Sequence, residues 1–579
     1  MQGLDPTIKA KVDSWLSGNY DEATKTELRK LIEQNAVTEL TDSFYKDLEF
    51  GTGGLRGIMG VGSNRMNKYT LGAATQGFAN YLKSIYPGEQ IKVAIAHDCR
   101  NNASLFANVT ANVFTANGIE VHLFNELRPT PQLSFACREL NCYGGVMLTA
   151  SHNPKEYNGY KAYGRDGGQL IAPHDKNVVN EVAKIKSIDE IKFEGNPALL
   201  HGIGKEMDDA YLNAIVKESL SKDAITRQKD LKIVFSPIHG TGFTLVPPAL
   251  KAYGFENVIL VEEQCTMDGN FPTVIYPNPE EQEALTLALK KAKETDADLV
   301  MATDPDADRV GIAIKDDKGE FILLNGNQTG SLLMDYVLRA WDSAGRLNKD
   351  TYVVKTIVTS YLMDEIAASY NVDCYNVLTG FKFIGDIMTK NEGKRRFVVG
   401  GEESYGYLVG EHARDKDAVI ACTMIAEMTA YYKDQGSSLF EALQSLYLSH
   451  GYYKEKLISL TKKGKAGAEE IKEMMENYRV NTPKSLGGSK VSVLKDYGQQ
   501  KETNLATGEV SVIDLPKSDV LQFFTEDGSV ISARPSGTEP KIKFYCSVKG
   551  ELASKADYYS ESENLDAKID AVMKDLGVA

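Results

Sequence analysis

The run "VMLTASHNPKEYNGYK", residues 146–161, starts as an apolar strand and then delivers a hydroxyl, an imidazole and a helix-breaking proline. In α/β proteins ligands gather where strands end. Ser151 is therefore a candidate nucleophile, with His152 beside it. A second stretch, "TDPDADRVG", spaces Asp304, Asp306 and Asp308 at alternate positions after the strand "LVMA". Alternate residues of an extended loop point to one side, so these carboxylates can converge on one hard cation. The EF-hand pattern fails, because Arg309 stands where that loop needs Gly and Lys315 where it needs Glu. Three oxygens leave room in an octahedron for water or a phosphate oxygen, which points to Mg²⁺.

The other polar loops complement these. "RPSGTEPKIKFY" puts Arg534, Ser536, Gly537, Thr538 and Lys543 around a tight turn. Hydroxyls, close backbone approach at Gly and two cations suit a phosphate. A plain hairpin would explain Pro535 and Gly537 but needs neither cation. "GGEESYGY" offers Glu402 and Ser404, which could chelate adjacent sugar hydroxyls or merely form an acidic surface turn. In "LTGFKFIG", Gly380 and Lys382 could face an anion or simply start a helix. "GTGGLRG" fails as a nucleotide loop, since Arg56 occupies the last Gly position of GxGxxG and no strand precedes it. It reads as a flexible loop that carries Arg56 to an anionic ligand. His97, His122 and His239 are isolated and read as structural.

The elements that position these loops alternate between strand and helix. "IKVAIAHD", "ASLFANVTANVFTANG", "IEVHLF", "PQLSFACREL" and "GGVMLTAS" form a first cycle. "LKIVFSP" to "DLVMATDPD" and "TYVVKTIVT" to "RRFVVGGEES" repeat the plan, and each cycle ends with an apolar strand running into a polar loop. Such alternation implies an α/β architecture with parallel or mixed sheets. The last stretch, from "AGAEEIKEMMENY" onward, reads as a smaller α+β domain. We place the domains at 1–220, 221–325, 326–450 and 451–579, the first with an N-terminal helical extension.

Composition narrows the partners. A chain of 579 residues is too long for one core and suggests about four domains. A net charge of -15 argues against nucleic acid, whose phosphates need a basic surface. An anionic small substrate would need a locally basic pocket. The cysteines number seven, without a CxxC pair, which fits free thiols in a reducing compartment. No apolar run approaches the ~18 residues that span a bilayer. A soluble, cytoplasmic protein with no membrane partner is expected.

In order, "TASHNP", "DPDADR", "GEESYG" and "RPSGTEPKIKFY" resemble the loops of the α-D-phosphohexomutase superfamily, the phosphoglucomutases and phosphomannomutases. The opening "SFYKDLEFGTGGLRGIMG" is most similar to the phosphoglucomutase branch that includes phosphopentomutases. The resemblance implies four domains around a central cleft, each giving one loop. It implies that Ser151 carries the transferable phosphoryl group, and that Asp304, Asp306 and Asp308 hold one Mg²⁺ with an oxygen of phosphoserine 151. Lys161 matches the family's general acid/base, with His152 next to the serine. Glu402 and Ser404 would grip sugar hydroxyls, and Arg534, Ser536, Gly537 and Thr538 the unreacting phosphate. Arg56, Arg309, Lys355 and Lys382 match cations of the cleft. Lys543 stands where many relatives have Arg, a point charge in place of a fork.

The implied reaction interconverts glucose 1-phosphate and glucose 6-phosphate, with glucose 1,6-bisphosphate as activator and intermediate. Mannose and pentose phosphates are the alternatives within the superfamily. A phosphatase built on "DPDAD" leaves "TASHNP" unexplained, and a non-catalytic sugar-phosphate binder has no need of all four competent loops. A monomer or weak homodimer is expected.

Overall fold

The computed structural model describes residues 3–50, 54–462, 464–536 and 540–578. Four sheets follow one another along the chain. The first contains β1 (Gly54–Ile58), β2 (Lys92–His97), β3 (Glu120–Phe124), β4 (Gly144–Leu148), β5 (Tyr157–Tyr163) and β6 (Leu200–Ile203), in the order β1-β5-β4-β2-β3-β6. The second contains β7 (Ile233–Ser236), β8 (Val258–Leu260), β9 (Leu299–Thr303), β10 (Val310–Lys315) and β11 (Phe321–Leu324), ordered β11-β10-β9-β7-β8. The third contains β12 (Thr351–Thr356), β13 (Asp373–Val377), β14 (Arg396–Glu402) and β15 (Gly406–Val409), ordered β13-β12-β14-β15.

Central strands such as β4 and β9 are buried at every residue. That is why they read as continuous apolar runs, as parallel strands covered on both faces do. In all three sheets one device recurs. A parallel strand ends, a polar loop follows, and the chain returns antiparallel beside it: β4 to β5, β9 to β10, β14 to β15. The Ser151 loop, the aspartate loop and the Glu402–Ser404 loop occupy these three equivalent hairpins. The weak repeat in the sequence is thus a repeat of hairpin position.

The fourth sheet is antiparallel throughout: β16 (Tyr452–Thr461), β23 (Lys541–Gly550), β22 (Val530–Pro535), β21 (Leu521–Thr525), β18 (Ser489–Asp496), β19 (Lys501–Asn504) and β20 (Val510–Val512), with β17 (Ser485–Leu486) beside β18. Helices Gly464–Val480 and Tyr558–Asp575 pack against it. This is the α+β unit expected at the C-terminus. Arg534 lies opposite Lys543 across β22 and β23.

The sheets are tied by one buried core that runs from Ala94 to Leu576. Helix Ala418–Asp434 follows the third sheet in sequence but packs on helices Gly242–Tyr253 and Lys222–Arg227 of the second unit. Its Glu427 accepts the N–H groups of Leu220 and Ser221 at 2.6 and 2.7 Å, pinning the link between the first two units.

"GTGGLRG" differs from expectation. Residues 51–53 lie outside the described residues, but Gly54–Ile58 is a strand with Arg56 opposite Gly159. Gly54 has a φ of 155°, and a Cβ there would lie 1.9 Å from the Tyr160 carbonyl oxygen. Gly54 serves this close pairing. Among the described residues no helix is long and apolar enough to cross a membrane.

Candidate active site

Ser151 ends the strand-to-loop transition with a φ of 53°, a left-handed conformation that costs a non-glycine residue about 1–3 kcal/mol. The turn aims its hydroxyl across the domain boundary, where Oγ lies 3.0 Å from Asp304 Oδ2. His152 Nδ1 is 3.2 Å from the same Oγ. Burial, followed by the nearby Arg309 and Arg56 cations, holds His152 well below the usual imidazole range. Burial thus favours the neutral imidazole.

Asp304, Asp306 and Asp308 are all buried, and one oxygen from each lies within 4.8 Å of the others. Asp304 Oδ1 accepts the N–H groups of Asp308 and Arg309 at 3.1 and 3.0 Å, which shapes the loop. Burial and then the Asp306 and Asp308 charges push Asp304 well above the usual carboxylate range. Asp306 Oδ1 and Asp308 Oδ1 are buried without hydrogen-bond partners. Converging hard oxygens with vacant lone pairs fit a divalent cation such as Mg²⁺ better than a soft metal.

Lys161 reaches the same carboxylates from β5, with Nζ 2.7 Å from Asp306 Oδ2 and 3.2 Å from Asp308 Oδ2. Burial works against its charge, but Asp306 and Asp308 outweigh it and raise its pKa. Lys416 comes from the opposite side, 3.2 Å from Asp308 Oδ2, 3.4 Å from Asp415 Oδ1 and 4.0 Å from Glu402 Oε2. Lys416 is not among the residues that the sequence motifs single out. Its only signal is a lysine set between two aspartates in "ARDKDA", away from any strand end. Gly406 makes room for it, since a Cβ there would lie 2.0 Å from Lys416 Cδ.

Glu402, at the end of β14, accepts the Gly380 N–H at 2.9 Å. Burial raises its pKa to about 7, against the pull of Lys416. Gly380 holds a φ of 120° at the start of helix Phe381–Asn391, which brings Lys382 round to the same space.

Most of these residues line one cleft of about 740 Å³, with Asp304 and Asp306 behind Asp308 outside its lining. Arg56, Ser151, His152, Lys161, Asp308, Arg309, Gly380, Lys382, Glu402, Ser404, Arg534 and Lys543 all face it. Arg56 Nη1 is 3.2 Å from Asn153 Oδ1 in the serine loop, and Arg309 pairs with Glu280. Burial, helped by the Lys541 and Arg534 charges, lowers the Lys543 pKa. The Ser536 N–H donates to the Lys541 carbonyl at 2.7 Å, closing the turn. Gly537 and Thr538 lie outside the described residues.

Lys355 is a correction. Its side chain is fully buried, with Nζ 2.9 Å from Asp364 Oδ2 and 3.2 Å from the Thr359 carbonyl. It neutralises a local carboxylate and does not line the cleft. Of the histidines read as structural, none lines the cleft, and His239 is buried between the Thr266 carbonyl and the Thr273 hydroxyl.

Glu455 on β16 also borders the cleft, and its Oε1 is buried without a hydrogen-bond partner. Burial raises its pKa from 4.5 to about 7. The folded chain then retains a proton that the unfolded chain has released between those values. Its contribution is present below pH 4.5 and is lost as pH rises through 7. The Tm of wild type relative to Glu455→Gln, neutral at every pH, should fall between pH 5 and pH 8 in thermal scans. A constant difference would refute this assignment.

Four consecutive segments match the phosphoglucomutase/phosphomannomutase family: alpha/beta/alpha domains I, II and III over residues 47–189, 209–319 and 325–447, and the C-terminal domain over 465–559. Phosphoglucomutase from Staphylococcus haemolyticus is 36% identical over 544 residues, covering 94% of this chain and 96% of the relative. Phosphoglucomutase from Staphylococcus aureus is 36% identical over 552 residues, covering 95% and 97%. Among solved structures, the open form of the Paramecium phosphoglucomutase parafusin shares the fold with a TM-score of 0.68 at 20% identity, over 92% of this chain and 96% of that one. A Thermus thermophilus phosphomannomutase homologue does so with a TM-score of 0.67 at 22% identity, over 91% and 99%. With Ser151, Asp308 and the Glu402–Ser404 loop facing one cleft, and with these matches along the chain, the protein belongs to the α-D-phosphohexomutase superfamily, in the phosphoglucomutase branch.

Proposed function

We propose that this isomerase interconverts glucose 1-phosphate and glucose 6-phosphate through phosphoserine 151 and a glucose 1,6-bisphosphate intermediate. The observation that carries the reading is the Ser151 hydroxyl, 3.0 Å from Asp304 inside a cleft that Glu402 shares. Asp304, Asp306 and Asp308 would hold one Mg²⁺ per chain with an oxygen of phosphoserine 151. When bound, it supplies positive charge beside the transferring phosphoryl group.

The chain's own residues do the rest. Arg56, Arg309 and Lys382 offset phosphate charge, and catalysis is largely positioning and electrostatics. Arg534 and Lys543 would bind the unreacting phosphate, together with Ser536, Gly537 and Thr538. Glu402 accepts hydrogen bonds from sugar hydroxyls, and Ser404 lies beside it. The sugar hydroxyl loses a proton as its oxygen bonds phosphorus, and Ser151 Oγ gains one as its own bond breaks. We assign this exchange to Lys161, which is charged, and His152, which is neutral. Lys416 joins them as a cleft cation.

The proposal includes a small-molecule sugar phosphate as the partner and a monomer or weak homodimer as the working form. Seven free cysteines support a reducing, cytoplasmic setting.

The test compares kcat/KM for glucose, mannose and ribose 1-phosphates with bisphosphate and Mg²⁺ supplied. Glucose 1-phosphate should lead by about 10-fold or more, the range one mismatched substituent commands in a shaped site. Ribose or mannose 1-phosphate in the lead would reassign the substrate. Release of inorganic phosphate with no isomer formed would make the protein a phosphatase.

A further inference from the structure

Arg100 lies outside the cleft, yet its side chain is fully buried and its guanidinium spans the whole serine loop. Nη2 donates to the carbonyls of Ser151, at 2.6 Å, and Asn153. Nη1 donates to those of Pro154 and Tyr157, both at 2.9 Å. Four carbonyls of one loop therefore converge on one side chain.

The other end of Ser151 is held through the same group. Its N–H donates to Thr149 Oγ1 at 2.8 Å, and that hydroxyl donates to Asp98 Oδ2 at 2.6 Å. Asp98 Oδ2 is 3.4 Å from Arg100 Nε, and Asp98 Oδ1 accepts the Arg100 N–H at 2.9 Å. Both backbone groups of a residue in a left-handed conformation are thus tied to one buried pair.

A buried cation is costly, and apolar residues would fill the space. What only a guanidinium offers is a planar fork of five donors, enough for several acceptors at once. A lysine could satisfy one or two of these carbonyls.

The clamp is also closed from the second unit. The Phe271 ring lies 5.2 Å from Arg100 Cζ, and Asn270 Oδ1 accepts from Asn101 Nδ2 at 3.0 Å. Gly269 presses so closely that a Cβ would lie 2.4 Å from the Asn101 nitrogen. The unit that brings Asp304 to Ser151 therefore also seats Arg100.

We propose that Arg100 is a positioning residue that fixes the register of Ser151 Oγ against the aspartate loop, with Phe271 transmitting the position of the second unit. The inference rests on the mutase reading, in which Ser151 gives and takes a phosphoryl group. Arg100 touches no substrate, so its loss should act on the transfer step and spare binding.

The test uses the full chain with Mg²⁺ and glucose 1,6-bisphosphate. Arg100→Lys keeps the charge and loses the fork, while Phe271→Leu removes only the ring over it. Quenched-flow intact-mass analysis follows phosphorylation of Ser151, beside steady-state kcat and KM. Arg100→Lys should lower both the phosphorylation rate and kcat by about 10- to 100-fold at nearly constant KM, as a misplacement near 1 Å does. Amide exchange across residues 149–158 should quicken. Phe271→Leu should show a smaller loss in the same direction.

Wild-type kcat in folded Arg100→Lys, or a loss carried entirely by KM, would overturn the proposal. If Arg100→Lys does not fold, normal kcat in Phe271→Leu overturns it instead. A wild-type enzyme that turns over without ever carrying phosphate on Ser151 would refute the mutase reading, a separate failure.

Discussion

Ser151→Ala should abolish mutase turnover, with kcat falling on the order of 10⁴- to 10⁶-fold, the scale seen when an enzyme nucleophile is removed. The substitution deletes one oxygen, whose contacts are Asp304 Oδ2 and His152 Nδ1. Alanine keeps the Cβ, so the strain of the left-handed turn is unchanged, and both backbone ties of residue 151 persist. Fold and sugar-phosphate binding should therefore survive, measured by Tm and by calorimetric titration. Intact-mass analysis should find a phosphorylated fraction in wild type, on the peptide containing Ser151, and none in the variant. Near-normal turnover of Ser151→Ala would exclude the covalent route.

Removing divalent metal is the second large effect. With a chelator, phosphoryl transfer should stop, and Mg²⁺ should restore it better than Ca²⁺, which accepts longer bonds and looser geometry. The buried Oδ1 atoms of Asp306 and Asp308, which accept no hydrogen bond, are the structural reason. Asp306→Asn removes one charge but keeps the shape, including an acceptor for the Thr130 hydroxyl, which lies 2.7 Å from Oδ2. It should raise the Mg²⁺ concentration needed for half-maximal rate by about 10-fold or more, since losing even a partner that only orients a ligand costs about 10- to 100-fold. Lys161 pairs with Asp306 and Asp308, and Lys416 with Asp308, so cations already offset the charge of this loop. Full activity in chelator would remove the aspartates from the reaction.

Much of this site was legible because its residues sit at strand ends. "VMLTAS", "LVMATDPD" and "RRFVVGGEES" each announce a buried strand by an apolar run and a loop by the polar residues after it. The physics is local: strands buried on both faces admit almost no polar side chain, so the first polar residues mark the exit. The alternate spacing of Asp304, Asp306 and Asp308 made their convergence readable for the same reason.

Other features needed contacts between distant segments. Lys355 resembles a cleft cation in sequence, but Asp364, on helix Leu362–Ser369 packed beside β13, captures it. Arg56 looked like part of a glycine-rich loop, but pairing with β5 makes that stretch a strand. Lys416 and Arg100 carried no motif at all.

The sequence by itself determined the α/β class, the candidate serine, the aspartate set and the family they imply, since each is written in short-range pattern. Only the tertiary structure decided which cations reach the cleft, how Ser151 meets Asp304 across 153 positions of chain, and what holds the serine turn in place. Charge and hydrogen-bond partners inside a protein are set by proximity in space, and burial makes each unpaired group costly. A lysine or arginine therefore takes its role from the carboxylate or carbonyl that the fold brings beside it.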